Sequence, residues 1–264
     1  MRPALRTLRC GRSALAIALL LTATLALAAE RQGKRLKLGQ FNPKDATVEM
    51  FDAIDQRDIE VKLIPKDSTE CRVIIENKTD RPLNVKLPDV FAGVPVLAQM
   101  GGGMQGGGNQ GMMGGMGGMG GMGGGMGGGG MGGGFFNVPP EKVGKMKVTT
   151  VCLEHGKAEP RPAMKYKIVP IEDLTDRPAV RELCRLLGTG RIGQRAAQVA
   201  AWHLNNDMSL QQLAAKRIEY ANGASRPYFS PQELRAGVQI VAMAQKMAEE
   251  RAKQAGSTER ASAR

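Results

Sequence analysis

One stretch constrains the chain more than any other. Residues 101–134 hold 23 glycines, eight methionines, two glutamines and one asparagine, with no charge and no aromatic ring. Glycine loses more conformational freedom on folding than any other residue, so such a run resists both helix and strand. Segments with strand-like patterning stand on either side of it. The sequence therefore predicts a disordered Gly/Met loop over 101–134, inserted in a β-domain. The entropic cost of closing a loop grows only slowly with its length, so a β-domain tolerates the insertion.

The flanking pattern has a period of two. Ile59, Val61 and Leu63 alternate with Glu60 and Lys62, and Cys71, Val73 and Ile75 share one face of a second segment. Leu83, Val85 and Leu87 alternate with Asn84 and Lys86. Residues 91–99 are apolar but carry Gly93 and Pro95, which suits an edge strand. Beyond the glycine run, residues 142–153 form the longest candidate, and Met164, Tyr166 and Ile168 mark a last one. Alternation with polar partners indicates sheets with one wet face. Short strands separated by turn residues predict a small antiparallel β-sandwich, Ig-like in type.

Helical signals bracket this β-domain. Residues 44–56 read as a short helix. From residue 174 the period changes: Asp176-Arg177-Pro178 starts a helix with the stripe Val180, Leu183, Cys184, Leu187, and residues 194–204 make a second. Ser209-Leu210-Gln211-Gln212 and Ser230-Pro231-Gln232-Glu233 are capping boxes opening two more. The expected class is α+β, with residues 29–173 as short helix plus sandwich and 174–254 as a bundle of about four helices. The contact between the two should bury Trp202, and residues 255–264 read as a disordered tail.

The first 28 residues read as a secretory signal peptide. Arg2, Arg6, Arg9 and Arg12 precede an apolar run over 14–28 that ends Ala26-Leu27-Ala28, too short for a membrane span. Cleavage there removes four arginines and no acid, lowering the net charge from +12 to +8. The remaining cations are densest over 31–37 and 142–147. Export argues against nucleic acid and for an anionic envelope polymer, a membrane surface or an envelope protein as partner, with salt-sensitive attraction. The expected location is the periplasm or cell surface, without a transmembrane segment in the processed chain.

Few residues offer chemistry. Cys71, Cys152 and Cys184 remain after cleavage, and no C-x-x-C occurs. They are read as buried thiols, with a Cys71–Cys152 bridge as the alternative. His155 and His203 stand in no hydrolase motif. Gly188-Thr189-Gly190-Arg191-Ile192-Gly193 fits G-x-G-x-x-G but follows a helix, so it reads as a helix–helix turn. No motif demands a cofactor. The one candidate ion is Cu(I) or Ag(I) on Met113, Met116, Met119 and Met122, spaced three apart, because thioethers suit soft cations.

Two resemblances add to this. Val151-Cys152-Leu153 with Ala197-Gln198-Val199-Ala200-Ala201-Trp202 resembles thioester domains of bacterial surface adhesins, with Ala197 where that family prefers threonine. The likeness implies a Cys152–Gln198 thioester open to attack by amines. The stretches Cys152-Leu153-Glu154-His155-Gly156-Lys157 and Gln198-Val199-Ala200-Ala201-Trp202-His203-Leu204-Asn205-Asn206 resemble uncharacterised exported proteins of planctomycete bacteria over residues 45–247, the glycine run excluded. That likeness implies a signal peptide and an envelope location and carries no activity. The reading is a non-catalytic exported envelope binding or structural protein. The alternatives are a periplasmic Cu(I)- or Ag(I)-binding protein using the Met-rich loop and a covalent surface adhesin.

Overall fold

Strand β2 (Ile59–Pro65) is joined to β3 (Glu70–Asn77) by a tight turn, and the two pair over seven positions from Ile59↔Asn77 to Pro65↔Cys71. On β3, Cys71, Val73 and Ile75 are fully buried while Arg72 is exposed, as the alternation requires. β3 pairs in turn with the long strand β8 (Val143–Cys152). The computed structural model describes residues 39–96, 110–116 and 134–262, with side chains as far as residue 257.

The sheet is a closed barrel, and this corrects the expected Ig-like sandwich. Six antiparallel strands follow the order β2-β3-β8-β6-β5-β9 and return to β2. β5 is Val90–Pro95, β6 is Met112–Gly115 and β9 is Tyr166–Val169. β6 comes from the middle of the glycine run, where a disordered loop was expected. It pairs with β5 on one side and β8 on the other, from Gly93↔Met112 to Val90↔Gly115 and from Met112↔Cys152 to Gly114↔Thr150. Without it, β5 and β8 would be free edges. β9 completes the circuit, bonded to β5 over four positions and to β2 at the single pair Leu63↔Tyr166. Period-two patterning is common to sandwiches and barrels; closure depends on strand partners, which local alternation does not carry.

Burial offsets the entropic cost of ordering glycine. Met112, Met113 and Met116 are each 0 % exposed. Burying such a side chain stabilises by about 1.5–3 kcal/mol. Met112 and Met116 enter the barrel core with Leu63, Val73, Phe91, Val148 and Ile168, whereas Met113 faces outward into a second core. β5 and β6 are thus buried on both faces, which is why neither shows clean alternation.

That second core joins the barrel to the helices. α2 (Pro178–Gly188), α3 (Gln194–Asn206) and α5 (Pro231–Ser262) pack Val180, Leu183, Leu187, Ala197, Ala200, Ala201 and Val241 against Ala92, Met113, Val151 and Leu153. The boundary expected near residue 173 falls within this shared core, and Leu38–Arg264 forms one compact unit. α2 approaches β6 backbone to backbone. A Cβ built on Gly115 would lie 2.3 Å from the Cys184 carbonyl oxygen and 2.8 Å from the Gly188 Cα. A short helix, α4 (Leu210–Ala215), makes the fourth of the region, and both capping boxes form, with Gln212 N bonded to Ser209 Oγ and Glu233 N to Ser230 Oγ. α5 runs on to Ser262, through residues expected to be a disordered tail.

At the other end of the barrel, the expected helix over 44–56 divides into β1 (Ala46–Glu49) and α1 (Met50–Asp55). β1 lies parallel to β4 (Leu83–Lys86), which pairs antiparallel with β7 (Phe135–Val138). Buried Asn84 and Asn137 tie this small sheet together: Asn84 Nδ2 donates to the carbonyls of Asn42 and Asp45, and Asn137 Nδ2 donates to Asp45 Oδ2 at 2.7 Å. A hairpin, β10 (Arg217–Glu219) and β11 (Ser225–Pro227), projects between α4 and α5. No helix among the described residues is long and apolar enough to cross a membrane.

Candidate functional site

Helices cover the barrel over β5, β6 and the end of β8, leaving the outward face of β2–β3–β8 in water. The strand register arranges this face in rows. One row runs Ile64, Arg72, Lys147; the next runs Lys62, Ile74, Lys145; the third runs Glu60, Glu76, Val143. All four cations of the first two rows are exposed, and so are Ile64 at 37 % and Val143 at 39 %. The acids are occupied. Glu60 and Glu76 serve Lys62 and Lys78, while Glu70 serves Lys147 and Lys66. Two lysines bonded to Glu60 hold its carboxyl below the usual range. Arg72 and Lys145 have no acidic partner among the described residues. Composition singled out 142–147 as a basic stretch; it gave no sign of Arg72, which only the register sets opposite Lys147.

The resemblance-derived pair Cys152 and Gln198 is brought into contact through the main chain of the cysteine. Gln198 Oε1 accepts from Cys152 N at 2.9 Å, and Gln198 Nε2 donates to Cys152 O at 2.7 Å. β3 ends at Glu70, opposite Thr149, so Cys152 has lost its neighbour on that side, and the Gln198 amide supplies the missing partner. The thiol points elsewhere, with Sγ 3.9 Å from the Ser68 carbonyl. Burial pushes the thiols of Cys71, Cys152 and Cys184 up to about 12, and all three are free, without the Cys71–Cys152 bridge.

Of the four methionines read as soft-metal ligands, Met113 and Met116 lie in different cores, one outside the barrel and one within, so β6 separates their sulfurs. Met119 and Met122 lie outside the described residues. Among the described residues, no three His, Cys, Asp or Glu side chains gather as a metal site.

A cluster the sequence did not foretell surrounds Trp202. Its ring meets His155 edge-on at 4.8 Å between centroids and packs against Tyr228 and Phe229. Lys216 Nζ lies 5.3 Å from the Trp202 centroid and 5.1 Å from that of Tyr228, and donates to His155 Nε2 at 2.9 Å. That bond needs a neutral imidazole. Burial, then the Lys216 charge, lowers the His155 pKa in the same sense. Arg195 bonds Glu233 and lies over Tyr228 and Phe229. The Lys216–His155 bond ties the β10–β11 hairpin to the loop after β8, and Tyr228 N donates to the Lys216 carbonyl at the base of the hairpin. His203 contributes a ring bond to the Met208 carbonyl, and Asn77 is buried and accepts from Thr79 N and Oγ1 as a turn.

A half-open cleft of about 370 Å³ lies where β2 and β9 diverge, lined by Ile59, Glu60, Val61, Lys167 and Ile168 with Ile54, Arg57 and Lys78. No protein-family model, no curated protein and no solved structure matches the chain.

Proposed function

We propose that this chain is a non-catalytic exported protein of the cell envelope, and that it binds an anionic envelope component through the outward face of β2–β3–β8. The observation that carries the reading is the state of charge of that face. Arg72 stands directly opposite Lys147, and neither Arg72 nor Lys145 has an acidic partner among the described residues. Like charges directly opposed on a sheet destabilise it; Glu70 relieves Lys147 here, and an external anion would relieve Arg72. The basic leader and the apolar run over 14–28 support export.

Retention on an immobilised polyanion, read across a salt titration, tests the proposal. Binding should fall steeply with ionic strength, because exposed charges are screened beyond about 8 Å at physiological salt. Arg72→Glu with Lys145→Glu should weaken retention far more than the charge-matched control Lys246→Glu with Lys253→Glu on α5. Equal losses in the two double variants would show that the barrel face is not the site.

A further inference from the structure

The basic face is not uniformly polar. Ile64 lies beside Arg72 in one row, and Ile74 lies between Lys62 and Lys145 in the next, so aliphatic side chains are interspersed among the cations. Ile64 and Val143 are exposed, while Ile74 is half-buried. A face built only for a hydrated polyanion gains nothing from exposed isoleucine. A lipid surface offers both complements: phosphate headgroups for the cations and, just beneath them, hydrocarbon for short aliphatic side chains. The lysine stems extend the same logic, since they lie along apolar surface while the ammonium stays in water.

We infer that the anionic component is a lipid surface, and that the protein docks on it peripherally through Ile64, Arg72, Ile74, Lys145 and Lys147. This rests on the reading above, that the β2–β3–β8 face is a binding surface for anions. Lys62, Lys66 and Lys78 at the rim share their charge with Glu60, Glu70 and Glu76, so Arg72 and Lys145 supply most of the unshared attraction. Near an anionic membrane each such cation contributes roughly fivefold to partitioning.

The test is sedimentation of the protein with vesicles of phosphatidylcholine alone and of phosphatidylcholine mixed with phosphatidylglycerol, beside heparin as a soluble polyanion. Every variant carries the same residues 1–28, so their contribution cancels in the comparison. Binding should require phosphatidylglycerol. Arg72→Ser with Lys145→Ser should lower it roughly 30-fold. Ile64→Ser with Ile74→Ser should weaken vesicle binding several-fold and leave heparin binding unchanged. Far-ultraviolet circular dichroism checks that both double variants fold, Ile74 being the one half-buried site of the four. Heparin binding without vesicle binding, or vesicle binding indifferent to the isoleucines, would overturn the lipid assignment and leave the anion-binding reading standing. Failure to bind either probe would end both.

Discussion

Alanine at Gly115 would test whether a strand drawn from the glycine run really carries α2 on its back. The added Cβ would meet the Cys184 carbonyl oxygen at 2.3 Å and the Gly188 Cα at 2.8 Å. Both obstacles are backbone, so no rotamer change relieves them and α2 must move away from β6. Overpacking of this kind costs about 1–3 kcal/mol, and a backbone clash belongs at the upper end. Alanine also restricts the unfolded chain, which returns about 0.4–1 kcal/mol. The net loss should be about 2 kcal/mol, or about 4–8 °C in Tm for a domain of this size. Urea unfolding followed by tryptophan fluorescence reads it cleanly, because Trp202 is the only tryptophan and is 4 % exposed. Gly188→Ala clashes with Gly115 from the other side at 2.7 Å, so the double variant should fall short of additivity. Gly256→Ala, with nothing within 4 Å, is the control and should be neutral or slightly stabilising. A Gly115→Ala protein within about 0.5 kcal/mol of the parent would refute the close seat of α2 on β6, since surface changes alone stay inside that range.

Three further outcomes follow from the geometry. Gln198→Ala leaves the Cys152 N–H and C=O without partners and should destabilise by about 1–3 kcal/mol, with faster hydrogen exchange at the Cys152 amide. Below neutral pH, stability should fall: the folded His155 pKa lies under its unfolded value, so the unfolded chain takes up the proton first, and the contribution present above about 6.5 is lost as pH drops through that range. His155→Gln should flatten that part of the pH profile, measured by Tm from pH 8 to 5. In the native protein Cys71, Cys152 and Cys184 should resist a thiol reagent at pH 8, and all three should react once the chain is unfolded; rapid native labelling of any one would contradict their burial.

How legible these features are in the sequence depends on whether a strand shows water one of its faces. β2, β3 and the first half of β8 alternate Ile, Val, Cys and Met with Glu, Lys and Arg, and their positions follow from that pattern. β6 offers Met-Met-Gly-Gly, four residues buried on both sides, in a composition that favours disorder. Its order comes from neighbours 20 to 40 residues away, to which local propensity is blind. The proposed binding face was half visible: Lys145 and Lys147 stand out as alternate lysines, whereas Arg72 joins them only through the β3–β8 register. Cys152 and Gln198 were paired by resemblance, and the structure sets them in contact, though the glutamine meets the peptide rather than the sulfur.

The single pair that joins β2 to β9 has a consequence for motion. Every other seam of the barrel is bonded over three to seven positions, while this one holds at Leu63↔Tyr166 alone. Local opening follows the least-bonded route, so the barrel should breathe there, along the cleft edged by Ile59, Val61 and Ile168. The seam also closes last in sequence terms, since its partners lie about a hundred residues apart and the hairpin β2–β3 is complete long before β9 is made. Until then the outer edge of β2 stands exposed, and such long-range closure makes folding slow. The rate at which β9 finds β2 should therefore set how long the nascent barrel remains vulnerable to edge-to-edge aggregation.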